Sequence, residues 1–230
     1  SRPVQGLQVR YRTAYAVEVW PIKIAQAQLE AAERSAFAVT RNDTVATLRL
    51  RIEATGQQPL SQLPIQRLRL YLEGESPLVH ALHELLLNSV ASITLRAPEG
   101  EPQVAPVRLP ASALQPVGFA EDEALLDYDP RSFLGYRLLQ EYFVLPEKFL
   151  FVDLTGLDVS RFKHAVEIAI EFNPFGRPER LQRLEQTVSA DTFRLFCTPV
   201  VNLFKQQGEP IRLAQERHEY QIVPDVRRPL

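Results

Sequence analysis

The residue types that support catalysis are few in this chain, and they are widely spaced. His80 and His83 lie three positions apart, and Glu84 follows directly. Zinc enzymes of the H-E-x-x-H type need histidines four positions apart with the glutamate between them. The spacing therefore favours a pair of histidines on the surface of an amphipathic helix, and the sequence predicts no metal site.

The single cysteine, Cys197, lies among Leu195, Phe196, Val200 and Val201. A cysteine nucleophile needs a nearby base and a lowered pKa, whereas apolar surroundings raise the thiol pKa. Free cysteine is also among the most frequently buried residue types. We therefore predict a structural role for Cys197. One cysteine excludes an internal disulfide and fits a cytoplasmic protein.

Carboxylates cluster in the stretch FAEDEALLDYDPR at 119–131, where Asp127 and Asp129 flank Tyr128. Paired carboxylates can hydrolyse glycosides or bind calcium when they are held at the right separation. The spacing supports neither, so a solvated acidic loop or exposed crossover is predicted. A hydrolase that uses Asp127 or Asp129 with an acid elsewhere stays an open alternative.

Glycine patterns and composition exclude further functions. None of the nine glycines forms a phosphate-binding loop or a dinucleotide fingerprint, so no cofactor is predicted. The net charge of −2 argues against a nucleic-acid surface. No stretch approaches the ~20 apolar residues that cross a bilayer. Because the chain contains no methionine, we expect it to be an interior fragment of a longer protein.

Hydrophobic periodicity predicts many strands. Alternation indicates strands at 15–19, 22–24, 45–53, 66–73, 92–96 and 164–172, with a buried strand at 148–154. Two of these strands have clear inward faces, formed by Ala46, Leu48, Leu50 and Ile52 in one and by Leu68, Leu70 and Leu72 in the other. Short strands are also predicted at 107–109, 114–117, 211–213 and 219–223.

Three helices are predicted from apolar spacing. The first is capped by Ser76, has Pro77 at its first position, and carries an apolar stripe from Leu78 to Leu86. The second has mostly one apolar face, formed by Phe133, Tyr136, Leu139, Tyr142 and Phe143, and ends at Pro146. Its spacing favours core packing over an exposed stacking platform. The third spans 178–186.

These elements predict a β-rich α+β fold, with antiparallel sandwich-like layers and a few short helices packed on them. The acidic stretch suggests a boundary between a first lobe with one helix, residues 1–128, and a second with two short helices, residues 129–230. The alternative is that both lobes pack as one unit.

Three long stretches resemble a known family. They are YAVEVWPIKI at 15–24, FLGYRLLQEYFVLPEKFLFVDLTGL at 133–157, and LFCTPVVNLFKQQGEPIRL at 195–213, which continues into HEYQIVPD. They are similar to motifs of the TssF (VasA or ImpG) family, baseplate subunits of bacterial type VI secretion systems. The third stretch carries the family-motif residues, which are Phe196, Cys197, Thr198, Pro199, Asn202, Leu203 and Phe204. In it we expect a strand, a helical turn that starts at Pro199, and an Asn202 side chain that satisfies local backbone groups.

The resemblance implies a structural protein without catalytic residues or cofactor. It implies a wedge of two TssF copies and one TssG, which gathers with TssK and TssE around a VgrG spike. It also implies a cytoplasmic assembly docked to an inner-membrane complex.

An exposed apolar patch near the acidic stretch or the second helix would mark a partner interface. The residues predicted for it are Tyr136, Tyr142, Phe143, Asp127 and Asp129. A carbohydrate-binding β-sandwich stays open as the other alternative, since it would need an exposed aromatic row beside a polar groove.

Overall fold

A computed structural model of the chain describes residues 3–4, 7–8, 11–32, 43–129, 131–175, 178–202, 207–212 and 218–223. Residue contacts divide the chain into two units. The larger is Ala14–Pro199, and the smaller combines Ser1–Thr13 with Val200–Leu230. In the smaller unit, β1 (Pro3–Val4) pairs with β2 (Leu7–Gln8), and β3 (Arg12–Thr13) pairs with β13 (Val200–Val201); both pairs are antiparallel.

The larger unit contains a five-stranded antiparallel sheet. Its strands are β4 (Ile22–Ala31), β5 (Ala46–Ala54), β7 (Val90–Arg96), β8 (Val107–Leu109) and β11 (Ala165–Phe172), in the order β4-β5-β11-β7-β8. The predicted inward face of β5 is confirmed, since Ala46, Leu48, Leu50 and Ile52 are all buried. The central strand β11 is buried along its whole length.

The second sheet of this unit has four antiparallel strands. They are β6 (Arg67–Leu72), β9 (Leu114–Pro116), β10 (Phe151–Thr155) and β12 (Phe193–Leu195), in the order β12-β6-β10-β9. As predicted, Leu68, Leu70 and Leu72 face the core. Alternation turns Arg69 and Asp153 to the opposite face, where the two are direct cross-strand partners.

In the described part of the chain, three α-helices accompany the sheets: α1 (Ser76–Asn88), α2 (Leu134–Val144) and α3 (Pro178–Thr187). Pro77 lies in the first turn of α1, as predicted, but the N-cap is Glu75 rather than Ser76, and it makes no side-chain capping bond. The buried stripe of α1 joins both sheets in one apolar core. The predicted β-rich α+β class with antiparallel sheets is confirmed.

Both large sheets combine strands from before and after residue 128. In the five-stranded sheet, β11 lies between β5 and β7. In the four-stranded sheet, β10 lies between β6 and β9. The residues on both sides of the predicted lobe boundary therefore build the same core.

Some predicted elements are wrong. Residues 15–19 form no strand; Tyr15 is buried, but Val19 is 74% exposed. Pro199 leads into β13 and not into a helical turn. Residues 211–212 and 219–223 form no strand, and Leu213 lies outside the described residues. Short alternating runs are weak predictors because a strand also needs a partner edge.

Candidate functional site

Helix α2 is packed with its charged side inward. Arg137 and Glu141 are buried, with 2% and 0% of their surface exposed, whereas Tyr136 and Phe143 are 62% and 77% exposed. Residues four apart share one face of a helix, so Arg137 and Glu141 point to the same side. The core packing predicted for the aromatic residues of α2 is therefore wrong.

The Glu141 carboxylate binds the acidic segment, which we define as residues 119–129. Its Oε1 accepts hydrogen bonds from the backbone nitrogens of Leu125 at 2.7 Å and Leu126 at 3.1 Å. Its Oε2 accepts a hydrogen bond from Nζ of Lys148, which is also fully buried. Arg137, Glu141 and Lys148 thus form a buried charge cluster.

Arg137 and Lys148 bind the backbone carbonyls of the same segment. The Arg137 guanidinium donates to the carbonyls of Phe119, Ala120 and Glu121 at 3.3, 3.0 and 3.4 Å. Lys148 Nζ donates to the carbonyl of Glu123 at 2.9 Å. Burial lowers the pKa of Lys148 despite the opposing effect of Glu141. The desolvation cost is thus not fully offset, which is common for buried ion pairs.

Glu123 connects this arrangement to the four-stranded sheet. Its Oε2 accepts from the backbone nitrogen of Gly118 at 2.6 Å, and its Oε1 lies 3.1 Å from Arg69 Nη2. Arg69 in turn binds Asp153 through two hydrogen bonds of 2.8 Å. Such forked pairs are geometrically specific. The acidic segment is therefore fixed to both α2 and the sheet.

Tyr15 is the point where the three motif stretches meet. Its hydroxyl donates to the carbonyl of Lys148 at 2.8 Å, and its ring packs edge-on against Phe151 at a centroid distance of 5.3 Å. Burial is the main reason why the pKa of the Tyr15 hydroxyl is raised. The Tyr15 backbone nitrogen donates to Oγ1 of Thr198 at 3.0 Å, and that hydroxyl lies 3.2 Å from the Tyr15 carbonyl.

Two backbone features support this junction. Gly118 has φ +103°, and a Cβ there would lie 2.9 Å from the Tyr15 hydroxyl oxygen and 3.1 Å from the Lys148 carbonyl oxygen. Glycine is required by both the conformation and the space. Phe196 adopts φ +61°, a strained value for a large side chain, at the turn that leads from β12 to Thr198.

The other family-motif residues are placed as follows. Cys197 is half-buried and packs against Tyr15, Val117 and Phe151; burial is the main reason why the pKa of its thiol is raised. Pro199 accepts a hydrogen bond from the Ala14 nitrogen at 2.9 Å. The role of Asn202 stays a prediction. Leu203 and Phe204 lie outside the described residues.

Asp127 and Asp129, the carboxylates weighed for glycoside hydrolysis or calcium binding, lie at the surface. Asp129 is bound by Arg131 at 2.6 Å, and hydrogen bonds from Arg131 lower its pKa. A general acid needs the opposite shift. Asp127 is exposed. Within the described residues, no three His, Cys, Asp or Glu side chains come together as a metal site requires.

An apolar groove of about 510 Å³ lies between α1 and α2. Gly135, Leu138, Leu139 and Tyr142 form the wall on α2, and His80 and His83 form part of the wall on α1. Phe119 and Phe149 also line it. Burial lowers the pKa of His83, with a smaller contribution from His80. The two histidines therefore flank an apolar surface.

Sequence reasoning missed the buried charge cluster, although all three residues stand in the quoted motif. The available signal was the Arg137 and Glu141 pair, spaced i, i+4 on one face of a predicted helix, followed by Lys148 beside a buried strand. That spacing is usually interpreted as a solvent-exposed ion pair.

Among the described helices, none is both long and apolar enough to cross a membrane.

Comparisons with known proteins agree with one another. The family model described as "Type VI secretion system, TssF" matches residues 1–230. The chain is 39% identical over 224 residues to type VI secretion system component TssF1 of Pseudomonas aeruginosa, covering 96% of this chain and 35% of that protein. It also resembles a chain of the TssK-TssF-TssG baseplate subcomplex solved by cryo-electron microscopy, with a TM-score of 0.64 and 27% identity. That match covers 95% of this chain and 38% of the other. The chain thus spans little more than a third of either relative.

Proposed function

The chain belongs to the TssF family of type VI secretion system proteins, and on that premise we propose that it is a structural part of the baseplate wedge. One observation carries this proposal. The charged groups at the junction of the motifs are used to fix backbone segments to one another, as the contacts of Arg137, Glu141 and Lys148 show. Groups held in this way support a rigid scaffold rather than a reaction.

The proposed partners follow from the relatives. The solved neighbour is a TssK-TssF-TssG baseplate subcomplex, and we propose that the protein containing this chain joins TssG and TssK in the same way. The family resemblance further supports two copies per TssG, self-association in the wedge, and contacts with TssE and the VgrG spike. It also supports a cytoplasmic location at the inner-membrane complex.

We place the partner interface of this chain on the outer side of α2. Tyr136, Tyr142 and Phe143 expose 62%, 49% and 77% of their surface there. Asp127 and Asp129 lie shortly before the helix and are also exposed. Aromatic residues are enriched where proteins bind each other, and an exposed cluster of this kind is unusual on a free surface.

A carbohydrate-binding function is favoured less. Sugar platforms present the flat faces of aromatic rings. Here the Phe133 and Tyr136 rings meet edge to face at 86°, and the Tyr142 and Phe143 rings at 73°. The two rings of each pair therefore stand at a steep angle to each other instead of forming a flat row.

Co-purification of the full-length protein with TssG tests the proposal. We expect a stable complex that survives moderate salt. Absence of a complex under all salt conditions would overturn the assignment. Catalysis is tested separately by the Asp127→Asn/Asp129→Asn variant, which removes both exposed carboxylates and should leave the fold intact. Loss of a measurable turnover in that variant, with the fold intact, would refute the structural role.

A further inference from the structure

Helix α2 is amphipathic in the reverse of the usual sense. Its two buried residues, Arg137 and Glu141, are both charged. Leu139 lies two positions from each of them, so at about 100° per residue it points ~160° away from both, and it is 54% exposed. Helices of globular proteins usually turn their apolar side to the core. Some interaction must therefore outweigh the gain from burying the apolar side of α2.

Lys148 supplies one such interaction, because its charge is buried although it does not belong to α2. It lies in the 3₁₀-helix Pro146–Phe149 and is fully buried. Its ammonium binds the Glu141 carboxylate and donates to the Glu123 carbonyl. Turning α2 by half a turn would carry Glu141 outward and leave the buried ammonium without its carboxylate partner, which is strongly unfavourable.

The acidic segment makes the orientation of α2 directional. Arg137 donates to three successive backbone carbonyls, those of residues 119–121. Glu141 accepts from two successive backbone nitrogens, those of residues 125 and 126. Hydrogen bonds weaken steeply with distance and angle, so rotation of α2 by a single residue, about 100°, would break this set. Apolar contacts tolerate such rotations much better.

The same cluster is a weak source of net stability. Burial lowers the pKa of Lys148 even though Glu141 opposes the shift. Apolar residues of similar volume often stabilise a protein as well as a buried ion pair does. Buried polar groups can instead select one arrangement among several, as a single asparagine selects the register of a coiled coil. Selection of one arrangement is the role that fits these contacts.

We propose that the buried charge cluster is an orientation lock, which fixes the rotation of α2 about its own axis and keeps the aromatic side of the helix facing outward. Without the charges, α2 turns its aromatic side to the core. The lock depends on contacts within this chain. Its consequence rests on the proposed function: the lock keeps Tyr136, Tyr142 and Phe143 available to a partner.

Chemical accessibility of position 143 tests the lock. The apolar-cluster variant is Arg137→Leu/Glu141→Leu/Lys148→Met. Phe143→Cys is introduced into the full-length protein with and without these changes, and alkylation by iodoacetamide is followed at this position by mass spectrometry. With the cluster intact, the thiol should react as an exposed cysteine does, because Phe143 is 77% exposed. In the apolar-cluster variant the rate should fall at least about threefold, since position 143 then faces the core most of the time.

An unchanged or higher rate would overturn the lock, because α2 would have kept its orientation or come loose. If far-ultraviolet circular dichroism shows that the apolar-cluster variant does not fold, the lock is also overturned, since the cluster would then supply stability itself. Val19→Cys is the matched control, because Val19 is 74% exposed on an irregular segment. It should react equally fast with and without the cluster, and a parallel fall in its rate would contradict a local effect on α2.

A repatterned variant tests the direction of the rotation. Adding Leu139→Glu and Tyr142→Lys to the apolar-cluster variant makes the outer side of α2 polar, so the apolar side created at positions 137 and 141 should face the core. The alkylation rate at position 143 should return to that of the intact cluster, and a rate that stays low would contradict the lock. Because these rates are measured without TssG, failure of the lock and failure of the proposed function are separate results.

Discussion

Removing Glu141 should destabilise this chain more than any surface substitution, because three donors depend on its carboxylate. In Glu141→Leu the Lys148 ammonium stays buried, with the Glu123 carbonyl as its remaining partner among the contacts described above. The backbone nitrogens of Leu125 and Leu126 lose their acceptor as well. The helix itself should tolerate leucine, which has a high helix propensity.

The expected magnitude follows from these contacts. Removal of one partner from a buried ion pair costs ~3–5 kcal/mol. Loss of the hydrogen bonds that the Leu125 and Leu126 nitrogens donate to Glu141 adds up to ~1–3 kcal/mol each, although the contributions overlap. We therefore expect a loss of at least about 4 kcal/mol, a large part of the ~5–15 kcal/mol that stabilises a typical domain.

Equilibrium urea unfolding measures this loss. Trp20 is the only tryptophan and is half-buried in the larger unit, so its fluorescence reports the transition. Far-ultraviolet circular dichroism, recorded in parallel, tests whether unfolding is two-state, as the free energy of unfolding requires.

Two controls make the result specific. Glu84→Leu removes the partner of Arg180 from an exposed pair and should cost no more than ~1 kcal/mol. Glu141→Leu/Lys148→Met removes both buried charges and should recover part of the loss. If Glu141→Leu costs under about 1 kcal/mol, or if the double variant is less stable than Glu141→Leu, the role assigned to the cluster is refuted.

Three further results are expected. Tyr15→Phe leaves the Lys148 carbonyl without its donor and should cost ~1–3 kcal/mol in urea unfolding; an unchanged midpoint would show that water replaces the hydroxyl. Gly118→Ala should lower the melting temperature, because a Cβ there meets the Tyr15 hydroxyl at 2.9 Å; Gly100→Ala, also at positive φ but with open space around it, should lower it less. Burial raises the pKa of Glu167, but hydrogen bonds from Arg49 and Arg96 outweigh it and hold the pKa below the ordinary 4.5. The resulting stability is present above pH 4.5 and lost as the pH falls below it, so Glu167→Gln should flatten the acid side of the stability profile, and an unaltered profile would contradict this assignment.

The strands whose periodicity extends over many residues were predictable from the sequence. The inward leucines of β5 and β6 follow strict alternation, and the structure buries them. Alternation in β11 was visible too, but its full burial was not. That burial depends on pairing with β5 and β7, which are separated from it along the chain. Hydrophobic pattern specifies a face, and distant partners decide whether the other face is covered.

The candidate site shows the same limit more strongly. Periodicity located α2 but assigned its apolar face to the core, because apolar stripes of helices usually point inward. The acidic segment turns the charged face of α2 toward the core, because its backbone groups form hydrogen bonds with Arg137, Glu141 and Lys148. Whether these charged groups find hydrogen-bond partners depends on the conformation of the loop. The spacing of residues along a helix does not reveal that conformation.

The burial of Lys148 makes this residue a chemical reporter. The chain has four lysines, and Lys148 is fully buried, whereas the Lys23 side chain is 58% exposed. An amine-reactive reagent should modify Lys23 at once and reach Lys148 only when α2 lifts from the acidic segment. The ratio of the two labelling rates therefore gives the opening equilibrium of α2 in the folded protein, and it is measurable by mass spectrometry inside an assembled complex.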